Sequence, residues 1–125
     1  VYFVFPKGTQ QKFNIRFDYA KVSYDKKSNR IGFRFVKKRP LGAFLLTQDR
    51  RCSGKPHGCS RTLSCDRFLT KHDIVFPSKT AVHYIPYRYN KSLIVIDLDK
   101  PVKNLTRHKN NYKYKEMDGV TAEID

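Results

Sequence analysis

The chain has 125 residues, 39% of them hydrophobic and 14% aromatic, and a formal net charge of +15 from 26 Lys and Arg against 11 Asp and Glu. That length suits one domain with a real core, and no run approaches the roughly 18 apolar residues that a membrane span requires. A charge this large opposes compaction unless a partner of opposite sign answers it, and three cysteines, an odd and sparse set, do not build a disulfide-framed secreted domain.

In chain order, Val1-Tyr2-Phe3-Val4-Phe5 is apolar for five residues before Pro6 and Lys7. It lacks the basic region and long apolar core of a signal peptide. The chain starts on Val1 without a methionine, which leaves room for residues upstream. Tyr19 to Tyr24 alternates as a strand does, Asp25 to Asn29 supplies turn residues, and Arg30 to Val36 alternates again. This predicts a β-hairpin with Ile31, Phe33 and Phe35 on one face and Arg30, Gly32 and Arg34 on the other. Lys37-Lys38-Arg39-Pro40 ends it. Gly42 to Leu46 reads as a short apolar strand, and Thr47 to Gly58 as a polar loop. Ser60 to Ser64 reads as another strand. Ser64 then caps a short helix, Cys65 to Asp73, that turns Phe68 and Leu69 inward. Ala81 to Tyr89 and Leu93 to Leu98 predict a second hairpin turning at Asn90-Lys91-Ser92.

Phe3-Val4-Phe5-Pro6-Lys7-Gly8-Thr9 matches Ile74-Val75-Phe76-Pro77-Ser78-Lys79-Thr80, and each copy precedes a hairpin. The expected fold is α+β and mostly antiparallel. It is a small barrel or sandwich of two hairpin units, residues 1–38 and 74–101, with one short helix. The compact basic domain runs over 1–103, and 104–125 is read as a polar tail.

Val4-Phe5-Pro6-Lys7 with Tyr19 to Val36, and Val75-Phe76-Pro77 with Tyr84 to Leu98, resemble the AbrB/SpoVT/MazE-like swapped-hairpin DNA-binding domains. Val22 to Ile31 also resembles stretches in short prokaryotic and phage proteins. The resemblance implies a transcription regulator or antitoxin in which two hairpin units interlock, across a homodimer or within one chain. After the proline that family carries a basic and an acidic residue, where this chain has Gly8-Thr9-Gln10-Gln11 and Ser78-Lys79-Thr80. No contact residue is carried over from it.

Residues 26 to 61 hold Lys26, Lys27, Arg30, Arg34, Lys37, Lys38, Arg39, Arg50, Arg51, Lys55 and Arg61 against one acid, Asp49. A solubilising surface interleaves both signs; this stretch does not. Arg30, Arg34, Lys37, Lys38, Arg39, Arg50, Arg51, Lys55 and Arg61 are the candidate contacts to the phosphates of DNA or RNA. Tyr84, Tyr87 and Tyr89 around Arg88, and Tyr112 and Tyr114 around Lys113, interleave aromatic and basic residues as base-stacking surfaces do; packing on a sheet is the simpler role for each. Cys52, His57, Cys59 and Cys65 are zinc-ligand types, but no tight Cys-x2-Cys pair accompanies them. Cys59, Leu63 and Cys65 share strand parity, so core thiols are the expectation and no cofactor is expected. No phosphate loop, His-Glu-x-x-His or serine elbow is present. Asp97 and Asp99 fit a strand end. The chain therefore reads as an intracellular, non-enzymatic binder of DNA or RNA. The alternative is a phage or mobile-element protein that docks on a nucleoprotein complex, such as a defence nuclease, and inhibits it.

Overall fold

The architecture comes from a computed structural model, which describes residues 1–38, 40–48, 60–76, 81–102 and 119–124. β1 (Tyr2–Phe5) buries Phe3 and Phe5 and leaves Tyr2 and Val4 half-covered. Pro6 stops it, because proline has no N–H for a ladder, and its fixed φ opens α1 (Lys7–Lys12). The predicted hairpin is β2 (Tyr19–Asp25) and β3 (Arg30–Val36), with Tyr19 opposite Val36 and Asp25 opposite Arg30. The Asp25 carboxylate closes its turn by accepting from the Lys27 N–H at 3.1 Å and the Ser28 hydroxyl at 2.6 Å. β4 (Phe44–Gln48), β5 (Arg61–Ser64) and α2 (Asp66–Lys71) follow. The helix starts at Asp66, with Cys65 at the cap position in place of Ser64. Among the described residues there are thus two short helices where one is expected.

The fold is mostly antiparallel, as the alternation requires. The sheet order is β6-β9-β1-β5-β4-β2-β3-β8-β7, where β6 is Ala81–Tyr84, β7 is Tyr87–Arg88, β8 is Ile94–Asp97 and β9 is Val120–Glu123. Two expectations need correcting here. The second hairpin is not continuous, because Ile85 and Pro86 split its first strand. Pro86 has no N–H to donate, so β6 joins β9, and only Tyr87 and Arg88 pair with β8. Residues 120–123, read as polar tail, are an interior strand inserted between β1 and β6. Val120 and Ala122 point inward with no exposure, and their small size fits the gap. The remaining tail, 104–118, lies outside the described residues.

The sheet curls. Its end strands, β6 and β7, are consecutive in the chain, and Tyr84 and Tyr87 stand about 10 Å apart at most. The core fills the inside of the curl. Phe33 meets Phe3 and Phe5 edge-on, with ring centroids 5.2 and 5.3 Å apart, and Phe5 meets Phe35 at 5.5 Å. Ile31, Leu63, Tyr84, Ile94 and Ile96 complete the layer. Among the described residues, no helix is long and apolar enough to cross a membrane.

β1–α1 and β5–α2 are one unit used twice. At positions fifty-nine residues apart, both helices end on the same hydrogen bonds: Phe13 N–H to Thr9 O and Ile15 N–H to Gln10 O in one, His72 N–H to Phe68 O and Ile74 N–H to Leu69 O in the other. Both then reverse through a left-handed residue, Asn14 (φ 55°) and Asp73 (φ 52°). Asn and Asp tolerate that conformation better than other side chains. β1 and β5 lie antiparallel and pair with each other, so the two copies sit side by side in the sheet. The structural repeat therefore begins at Arg61. Ile74–Phe76, the second copy expected from the Phe-Pro match, is not a strand, and Pro77 to Thr80 lie outside the described residues.

Candidate nucleic-acid interface

The alternation that buries Ile31 and Phe33 and packs Phe35 against the core turns the other parity of β2 and β3 outward. Cross-strand pairing sorts these residues into rows. Leu45, Tyr19 and Val36 form the first, Lys21 and Arg34 the second, Ser23, Gly32 and Val95 the third, and Asp25, Arg30 and Asp97 the fourth. Successive rows are about 7 Å apart, two residues of strand rise.

Lys21 and Arg34 stand directly opposite each other, both exposed. Like charges in that position repel and destabilise the sheet. Among the described residues neither makes an ion pair. Lys37 and Lys38, just past the end of β3, are also exposed. Arg30 differs. Its Nε donates to Asp97 Oδ1 at 3.2 Å, and its side chain is 40% exposed, so it is only partly free.

Arg61 does not belong to this surface. It shares inward parity with Leu63, and its side chain is 10% exposed. Its guanidinium donates to Phe17 O at 3.0 Å and Asp18 Oδ1 at 2.9 Å, tying β5 to the start of β2. Replacing Arg61 by alanine is expected to destabilise the fold by about 1–3 kcal/mol, the range for losing charge-assisted bonds at a buried site. Nucleic-acid affinity of the folded fraction should not change. A salt slope lowered by one unit, with unchanged melting temperature, would instead make Arg61 a phosphate contact. Arg39, Arg50, Arg51 and Lys55 lie outside the described residues.

The tyrosines divide. Tyr84 is fully buried in the core, where burial, with Asp99 adding to it, pushes its hydroxyl up to about 12. Tyr89 is 64% exposed, and Tyr87 is half-buried beside it. Arg88 is structural: it donates to Lys91 O and Phe13 O, both at 3.0 Å, and lies over the Phe13 ring. Tyr112 and Tyr114 lie outside the described residues.

A pocket of about 220 Å³ sits over Gly32, walled by Leu93, Tyr89, Ser23, Asp25 and Arg30. Glycine leaves this space open, and a side chain there would make its neighbours shift. A Cβ on residue 32 would come within 2.9 Å of both Leu93 Cδ1 and Ser23 Oγ. At the rim, the Ser28 hydroxyl bonded to Asp25 holds that carboxyl below the usual carboxylate range, so it is ionised at neutral pH. A wider concavity shares Arg30 and Tyr89 with this pocket and continues along Tyr87, Ile85 and Lys100.

Of the zinc-ligand types, Cys52, His57 and Cys59 lie outside the described residues. Cys65 is sealed in the core, and burial pushes its thiol up to about 12. A ligand or nucleophile must be a thiolate. Cys65 is therefore expected to resist iodoacetamide in the native protein and to react once unfolded, as peptide mapping would show. Alkylation at the unfolded rate in the native state would contradict its burial.

Lys21, Lys100 and Pro86 are not among the candidates that the sequence singles out. Lys21 was legible, since it alternates outward from Ala20 and Val22, and hairpin register sets it across from Arg34. In comparisons with known protein families, with curated proteins and with solved structures, the chain matches none.

Proposed function

We propose that this protein binds nucleic acid through the outer face of β2 and β3, as an intracellular regulator that contacts the phosphate backbone. The observation that carries the reading is the Lys21–Arg34 pair. The sheet holds two exposed like charges face to face, neither in an ion pair among the described residues, and exposed Lys37 and Lys38 follow at the end of β3. That arrangement opposes folding and favours an anionic polymer. Such a polymer supplies evenly spaced negative charge to a convex basic strip and releases counterions on binding. The net charge of +15 adds long-range attraction. The swapped-hairpin resemblance goes with a role in regulation.

The experiment is a titration of the whole protein against duplex DNA, single-stranded DNA and structured RNA over a range of salt. Affinity for at least one polymer is expected to fall steeply and linearly on a log–log plot. Weak binding to all three near physiological salt would overturn the reading and point to a protein partner.

A further inference from the structure

We propose that the pocket over Gly32 seats one unpaired base, with Tyr89 as its stacking platform, so that the preferred polymer is single-stranded. This rests on the reading of the outer face as a nucleic-acid surface and names the strand that surface takes.

Tyr89 is exposed yet held in place. Its N–H donates to Leu93 O at 2.9 Å. The Asn90 side chain next to it accepts from the N–H groups of Ser92 at 3.0 Å and Leu93 at 2.9 Å. The ring is thus carried on a hydrogen-bonded turn beside a concavity, where an aromatic face gives a base a rigid surface. The pocket is smaller than the roughly 300–1,000 Å³ of sites that enclose a whole small ligand. It fits a flat ring and not a complete nucleotide.

Its lining is graded as a base needs. Leu93 and Val95 supply an apolar floor and wall. Ser23 and Asp25 supply acceptors at the rim, and the guanidinium of Arg30, the one cation of the lining among the described residues, is already paired with Asp97. An ionised Asp25 repels a phosphate but accepts from the N–H groups on a base edge. The phosphates belong elsewhere, and Lys21 and Arg34 stand one row away, about 7 Å along the strands. Base and backbone therefore have separate, adjacent places on one surface. A duplex keeps its bases stacked inside and cannot fill the pocket without unpairing one.

The test uses fluorescence anisotropy with a labelled unstructured DNA strand, an unstructured RNA strand and a duplex of equal length. Wild type, Tyr89→Ala and Tyr89→Phe are compared, each checked for native circular dichroism. The wild type is expected to bind single strands more tightly than duplex. Tyr89→Ala should weaken single-strand binding by about 5- to 150-fold, the range for stacking one base. Tyr89→Phe should retain it, and duplex binding should not move. If Tyr89→Ala binds single strands as the wild type does, with the salt dependence intact, the pocket inference is overturned and the backbone-binding reading stands. If none of the three polymers binds near physiological salt, both fall together.

Discussion

Replacing Lys21, Arg34, Lys37 and Lys38 together by alanine is expected to abolish most nucleic-acid affinity while leaving the fold slightly more stable. All four side chains are exposed, and none is in an ion pair among the described residues. Their removal therefore opens no cavity and orphans no buried partner. Each phosphate contact contributes roughly 0.7 to 0.9 to the slope of log affinity against log salt. Losing four lowers that slope by about 3 and the affinity near physiological salt by roughly 10²–10³-fold. Relief of the Lys21–Arg34 repulsion contributes about 0.2–1 kcal/mol in the other direction, toward stability. The two effects have opposite signs, and a solubilising role for these charges does not predict that combination. Unchanged affinity in a well-folded variant would remove this face from the account.

The second large effect concerns the last strand. Ala122→Asp is expected to destabilise the protein by about 3–5 kcal/mol, the penalty for an unpaired buried charge. Ala122 has no exposure, and it lies between Phe3 of β1 and Val82 of β6. A charge there desolvates against the aromatic core, and β9 links β6 to β1 in the sheet. Against a total stability of about 5–15 kcal/mol for a domain, this is enough to unfold a substantial fraction. Thr121 is the contrasting position on the same strand. It is also buried, but on the opposite face of the strand, where its hydroxyl lies 2.7 Å from His83 Nδ1. Thr121→Ser keeps that contact and should cost little. Denaturant melts separate the cases; a midpoint for Ala122→Asp equal to wild type would mean that residues 120–123 are not packed in the sheet.

What the sequence made legible follows from how much each element repeats a period. β2 and β3 give fourteen residues of alternation around a turn of Asp, Lys, Ser and Asn, so the hairpin, its inner face and the outward Arg34 could all be read. β5 and α2 were legible for a similar reason, from Leu63, Phe68 and Leu69. β9 was not, because only four residues carry it and its inward pair, Val120 and Ala122, is small and set beyond an acidic and basic stretch. The β6–β7 break turned on one residue, Pro86, inside a run that otherwise alternates. Basic composition alone puts Arg61 among the phosphate contacts, and strand parity does not: it lies on the same face as Leu63, which points inward. The position of the repeat is hidden in the sequence for a physical reason as well. Across residues 2–15 and 61–74 the two units share little beyond Lys12 with Lys71 and Ile15 with Ile74. What they hold in common is backbone: the left-handed turn at Asn14 and Asp73 and the hydrogen bonds that flank it.

The most direct test of the outer face is a lysine-acetylation footprint of the whole protein, taken with and without saturating nucleic acid and read by mass spectrometry. Lys21, Lys37 and Lys38 are expected to be protected, while Lys7, Lys12 and Lys71, exposed on the helices, react at their free rates. Protection confined to lysines of residues 49–59 and 103–118, with Lys21, Lys37 and Lys38 fully reactive, would contradict the account and move the interface off the β2–β3 face.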